Sequence, residues 1–321
     1  MAKNAIARWS NPEVILVATS LLEDHSLMQH AIFQARLSKA AVLLVHVIPP
    51  SYLITETNCP PPFVLPSPAL RVIRAKLDEI AKEFQRVGIT CEPIVLKGLP
   101  EEEIPSIVKS RSVDRVIVAT RNTSGVARLI VGSVAEELID ELEVPVCVIG
   151  RHAHMAPSCG AHLRRVLVAA SLQPNATLPV AFAMELAEAN GSHFTLLHVI
   201  ESEIMGEQQL HFARMEARQR LCDLVPNEAK HSIQTLLLIR EGDPATIILE
   251  EAGSLSEDIV ILGSPHSSTA FRLLSSSIAH RVILESECPV ITIKATLTSE
   301  SEKVQDSTRS SDADSILAMH R

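Results

Sequence analysis

The order of apolar runs in the first half of this 321-residue chain returns in the second, and this repeat limits the fold more than any other sequence feature. Ile15-Leu16-Val17-Ala18 returns as Val166-Leu167-Val168-Ala169, and Leu44-Val45-His46-Val47-Ile48 as Leu196-Leu197-His198-Val199-Ile200. Further on, a constant offset aligns Gly98 and Pro100 with Gly242 and Pro244, and Asp114 with Asp258. The same offset aligns Arg128-Leu129 with Arg272-Leu273, Ser133 with Ser277, and Pro145-Val146 with Pro289-Val290. The chain is an internal duplication of a domain-sized unit.

Within each copy, short β-branched runs alternate with stretches of helical period, the βαβ pattern of a parallel sheet covered by helices on both faces. Five strands per copy are expected, near Val14–Ala18, Ala41–Val47, Thr90–Val95, Arg115–Ala119 and Val146–Ile149, then near Val166–Ala170, His193–Val199, Ile233–Ile239, Asp258–Leu262 and Val290–Lys294. Met28, Ala31, Ile32 and Ala35 repeat at helical spacing, as do Val180, Ala183, Met184 and Ala187, so both stripes should face their sheet. Asp243-Pro244 reads as a helix start, Asn190-Gly191 as a helix end, and Ser133 with Glu136 as a capping box. The expected organisation is a first domain over 1–150, a linker over 151–162, a second domain over 163–295 and a tail over 296–321, too poor in large apolar residues to fold alone.

Composition excludes several classes of function. The formal charge of −9 lacks the basic excess that draws a protein onto nucleic acid. Aromatic residues make up only 3%, leaving little to stack bases or sugars. No apolar run approaches a membrane span, the start carries no apolar signal core, and the six cysteines have no C-x-x-C spacing, so a cytoplasmic protein with reduced thiols is expected. His152, His154, Cys159 and His162 are metal-ligand types, but without ligand spacing they read as linker, and no metal is expected. His46 and His198, at matching strand ends, read as hydrogen-bonded residues rather than general bases. Seven prolines between residues 49 and 68, set among apolar side chains, read as a segment that covers the neighbouring copy or a second chain.

In an open parallel sheet, ligands bind beyond the carboxyl ends of the strands, here the loops after the first and fourth strands. The fourth-strand regions read Asp114-RVIVATRNTSGVARLIVGSVAEEL and Asp258-IVILGSPHSSTAFRLLSSSIAHRV. With them, both copies resemble universal stress protein (UspA-like) domains, from about residue 14 to residue 294. The resemblance implies a Rossmann-like α/β fold of two tandem doubly wound domains, each a five-stranded parallel sheet of order 3-2-1-4-5 flanked by helices. It also implies intramolecular pairing of the domains through Val144–Ile149 and Cys288–Ile293. The remaining surfaces would serve a homodimer or an unknown protein partner.

Nucleotide-binding members of that family carry G-x-x-G, nine residues, then G-[ST], and an Asp in a V-D-G-S-like turn after the first strand. Here Ala119 and Asn122 stand at the first two glycine positions and Gly132-Ser133 close the motif; in the second copy the series is Gly263, His266, Ser276 and Ser277. The turns read Val17-Ala18-Thr19-Ser20 and Val168-Ala169-Ala170-Ser171, both without the Asp. Ser20 and Ser171 are the remaining polar turn candidates, and Arg128 and Arg272 the candidate anion contacts. The expectation is therefore a stress-response protein, not an enzyme, with eroded ATP sites and no cofactor, acting through protein contacts. A sensor retaining ATP or AMP in one domain is the alternative. No S-G-G-x-D-S, P-loop, G-x-S-x-G or G-x-G-x-x-G motif supports an enzyme.

Overall fold

The ten β-branched runs pair into a single sheet in the computed structural model, which describes residues 2–21, 25–49, 67–120, 131–154, 162–173, 176–201, 206–225, 234–264 and 277–294. The first half runs α1 (Ala2–Ser10), β1 (Val14–Ala18), α2 (His25–Ser38), β2 (Ala41–Ile48), α3 (Ser67–Arg86), β3 (Cys91–Lys97), α4 (Pro100–Ser110), β4 (Arg115–Ala119), α5 (Ser133–Glu141) and β5 (Val146–Ile149). The second half runs β6 (Arg165–Ala169), α6 (Thr177–Asn190), β7 (His193–Ile200), α7 (Glu207–Leu224), β8 (Thr235–Glu241), α8 (Pro244–Ser254), β9 (Ile259–Ser264), α9 (Ile278–Glu285) and β10 (Val290–Lys294). Strand order across the sheet is β3-β2-β1-β4-β5-β10-β9-β6-β7-β8. The strand over Ile233–Ile239 in the sequence reading begins two residues later, at Thr235.

Burial on both faces explains why the strands read as continuous apolar runs rather than as alternating ones. Ile15 and Val17 point into one layer, with Leu27, Ala31 and Ala35 of α2 and Phe84 of α3. In the second half Val180, Ala183 and Ala187 of α6 fill the same layer. Leu16 points into the other, with Ile104 of α4, Leu138 of α5, Ile248 of α8 and Val282 of α9. Both helical stripes of the sequence analysis therefore face the sheet. No helix among the described residues is long and apolar enough to cross a membrane.

The matched aspartates have a structural job. Asp114 Oδ2 accepts the backbone N–H groups of Glu13 and Val14 at 2.9 and 3.1 Å, and Asp258 Oδ2 those of Arg164 and Arg165 at 2.6 and 3.1 Å. Each carboxylate thus ties the start of a first strand to the start of the fourth. Gly191 closes α6 in the left-handed region, φ 63°, and the Asp243 side chain caps α8 by accepting Thr246 N–H. The capping box expected at Ser133 is absent: Gly132 is the N-cap, with φ 109° and no side-chain bond, and Ser133 is the first helical residue.

The halves join where β5 and β10 pair antiparallel, with Cys147 opposite Ile291. These two residues are equivalent in the duplication, so a pseudo-twofold axis passes between them. Thr292 Oγ1 donates to Val146 O at 3.3 Å, and on the α5/α9 side Glu136 meets its own equivalent, His280, at 3.4 Å. α1 packs against α6 of the other half, and its Arg8 pairs with Asp114 at 2.6 Å. A Cβ on Gly150, at the end of β5, would lie 2.5 Å from the Ile283 carbonyl oxygen of α9. Gly150→Ala should therefore wedge the seam and cost about 1–3 kcal/mol, read as a lower urea midpoint of the full chain.

Candidate functional site

Parallel register carries the first and fourth strands out of the sheet side by side in each half. Val17 pairs with Ile117, so Thr19 and Ser20 leave beside Ala119 and Thr120; Ala169 pairs with Leu262, so Ala170 and Ser171 leave beside Gly263 and Ser264. These are the two crevices at the strand carboxyl ends. Ser20 and Ser171 are exposed, Ala119 is half-buried as the last residue of β4, and Gly132 is buried while Ser133 faces outward. Asn122, Arg128, His266, Arg272 and Ser276 lie outside the described residues, as do residues 50–66, 155–161 and 295–321.

Among the described residues, several polar groups at the crevices bond within the protein itself. Thr19 Oγ1 accepts Leu21 N–H at 3.0 Å, closing a turn in which Leu21 sits at φ 63°. Thr19 N–H donates to Val45 O, and Ala170 N–H makes the matching bond to Leu197 O, both at 2.9 Å. The matched histidines fasten the same turns: His46 Nδ1 lies 2.8 Å from Thr19 O and His198 Nδ1 2.9 Å from Ala170 O. A carbonyl only accepts, so both rings carry the proton on Nδ1. Ser277 Oγ accepts His280 N–H at 3.1 Å and so caps α9. At Gly263, the glycine kept in the second motif, a Cβ would stand 3.1 Å from the Pro179 ring of α6, a tight contact. Thr120 differs, with a buried Oγ1 that has no hydrogen-bond partner among the described residues.

The universal stress protein family matches residues 12–150 and again residues 162–294. The chain belongs to that family. Among its relatives, universal stress protein MJ0577 of Methanocaldococcus jannaschii is 33% identical over 76 residues, 24% of this chain and 47% of that protein. Universal stress protein MJ0531 of the same organism is 29% identical over 73 residues, 23% of this chain and 43% of that one. The chain spans a little under half the length of these curated relatives. A crystal structure of a universal stress protein from Archaeoglobus fulgidus aligns over 88% of this chain and 96% of its own, with a TM-score of 0.64 and 20% identity, a likeness of fold. Like other members of the family, the protein carries its domains as α/β units, here twice in one chain.

Sequence reasoning missed a second polar cluster, at the seam between the two family domains. Arg115 is fully buried; its Nη1 donates to Gln34 Oε1 at 3.0 Å and its Nη2 to Trp9 O of α1 at 2.5 Å. Its guanidinium lies 5.8 Å from the ring centroid of Phe182, on α6 of the other half. Gln34 Nε2 in turn reaches Cys147 Sγ at 3.1 Å. Burial lowers the Arg115 pKa to about 10 and raises that of the Cys147 thiol to about 11, so at neutral pH the guanidinium is charged and the thiol is not. The duplication held the signal: the equivalents of Arg115, Gln34, Cys147 and His30 are Ile259, Leu186, Ile291 and Phe182. Polarity appears on one side of the axis only.

Among the described residues, no group of three His, Cys, Asp or Glu side chains could hold a metal ion.

Proposed function

We propose that this protein is a non-catalytic stress-response protein that acts through protein contacts, with nucleotide crevices that no longer grip ATP. One observation carries the reading: among the described residues, a hydroxyl of each crevice is already engaged within the protein. Thr19 Oγ1 closes its own turn and Ser277 Oγ caps α9. A ligand would have to displace bonds the protein already makes, and neither turn supplies a carboxylate for base recognition. Phe212 and Met215, 73% and 58% exposed on α7, supply apolar surface of the kind protein contacts use.

Titration calorimetry of the full chain with ATP and with AMP should give no saturable heat at micromolar ligand, and a turnover assay should give no hydrolysis. Saturable micromolar binding would replace this reading with that of a nucleotide sensor. The first crevice is where such a sensor would sit, because Thr120 Oγ1 is unpartnered among the described residues and α5 begins at Gly132 without a side-chain cap. One bound nucleotide per chain would mark that alternative.

A further inference from the structure

We propose that the seam between the two halves binds a small zwitterion, its carboxylate on Arg115 and its amino group on Glu257. A cavity of about 630 Å³ opens there, remote from both crevices and within the size range of small-molecule sites. Three residues of its lining hold a buried side-chain atom with no hydrogen-bond partner among the described residues: Nε of Arg115, Nε2 of His30 and Oε2 of Glu257. The three residues are 3%, 4% and 7% exposed, so bulk water does not satisfy them. Unpaired polar atoms at such depth are costly, and their collection around one cavity marks a binding site rather than scattered packing faults.

The charges set the ligand class. Arg115 is a buried cation whose protein hydrogen bonds go to neutral oxygens, those of Trp9 and Gln34. The neighbouring carboxylate of Asp114 is engaged by Arg8 and two backbone N–H groups. A ligand carboxylate would supply the missing counter-charge through the Nε–H, which has no partner among the described residues. The same lining carries Glu250, Glu257, Glu285 and Glu287, an acidic set that repels a simple anion. Glu257 uses Oε1 to accept Thr195 Oγ1–H at 2.8 Å and leaves Oε2 open for a donor. Phe33, Leu163 and Leu186 add apolar side chains to the lining, which suit a hydrocarbon spacer. Hence the ligand carries both charges.

The test is titration calorimetry of the full chain at pH 8, above the Glu257 pKa of about 7, with ε-aminocaproate and alanylleucine, and with caproate and hexylamine as one-ended controls. A two-ended probe should bind saturably, and each one-ended probe at least roughly tenfold more weakly. Glu257→Gln keeps the oxygen that Thr195 bonds, so it should fold and lose roughly tenfold for the two-ended probe while leaving caproate unchanged. Arg115→Met should weaken caproate and the two-ended probe alike; should it fail to fold, the Glu257 variant alone decides. No saturable binding of either two-ended probe up to about 10 mM overturns the proposal, that ceiling lying above the range of ordinary small-metabolite affinities. Caproate binding as tightly as ε-aminocaproate, or Glu257→Gln leaving the two-ended probe untouched, overturns it as well. The crevice reading stands apart, since ATP and AMP are titrated separately.

Discussion

Full-length protein carrying Phe182→Ala should lose about 3–5 kcal/mol of stability, seen as a lower urea midpoint. Phe182 is fully buried on α6, and its ring contacts the guanidinium of Arg115 from the opposite half of the molecule. Removing it deletes a large apolar contact and leaves a void beside a buried cation, where incoming water would find Arg115 and loosen α1, which holds that side chain through Trp9 O. Phe182→Leu should recover most of the loss, because volume rather than aromaticity dominates the packing. A midpoint within about 1 kcal/mol of the parent for the alanine variant would show that the seam contributes little to cohesion.

The second large effect is a pair of opposed pH dependences in the seam. Burial, with a smaller contribution from His154, pushes the His30 pKa down from 6.5 to about 4. The fold therefore favours the neutral ring, and this stability is present above pH 6.5 and lost as pH falls towards 4. Burial raises Glu257 from 4.5 to about 7, against the opposing hydrogen bond from Thr195. The fold favours its protonated form, so here stability is present below pH 4.5 and lost as pH rises through 7. Each effect amounts to about 3 kcal/mol at its far limit, and between pH 4.5 and 6.5 the two slopes cancel in the parent. Urea unfolding across pH should show Glu257→Gln gaining on the parent by about 1.4 kcal/mol per pH unit as pH rises over that interval. His30→Leu should gain on the parent at a similar rate as pH falls. Parallel curves for parent and variants would mean that these groups titrate alike in the folded and unfolded states.

The duplication made much of the architecture legible, because each strand could be read twice. Leu44 to Ile48 and Leu196 to Ile200 support one another as second strands even though each alone is a short apolar run that a helix could also carry. Local signals with a strong chemical reason also appear in the structure, as at Gly191 and Asp243. Legibility stopped where a residue's role depends on partners distant in the chain. α1 has a periodic face, yet its anchors are Asp114 and α6, so nothing local marks it as part of the core. Ser133 has capping-box spacing, but the backbone turns at Gly132 and leaves the serine outside as the first helical residue. In the crevices, the missing aspartate and glycines could be read directly. The use of Thr19 to close its turn and of Pro179 to pack against Gly263 could not, since both depend on the folded backbone.

Joining the halves through an antiparallel β5–β10 seam has a kinetic and evolutionary consequence. In a dimer of identical subunits, every residue on the axis meets its own copy, a mutation is imposed on both sides at once, and dilution separates the partners. Here the connection within one chain makes pairing first-order, at an effective concentration on the order of millimolar set by the tether rather than by protein abundance. The two sides were thereby free to drift apart, and Glu136 facing His280, like Arg115 facing Phe182, records that freedom. Pairing of the two siblings within one chain is indifferent to how scarce the protein is in the cell.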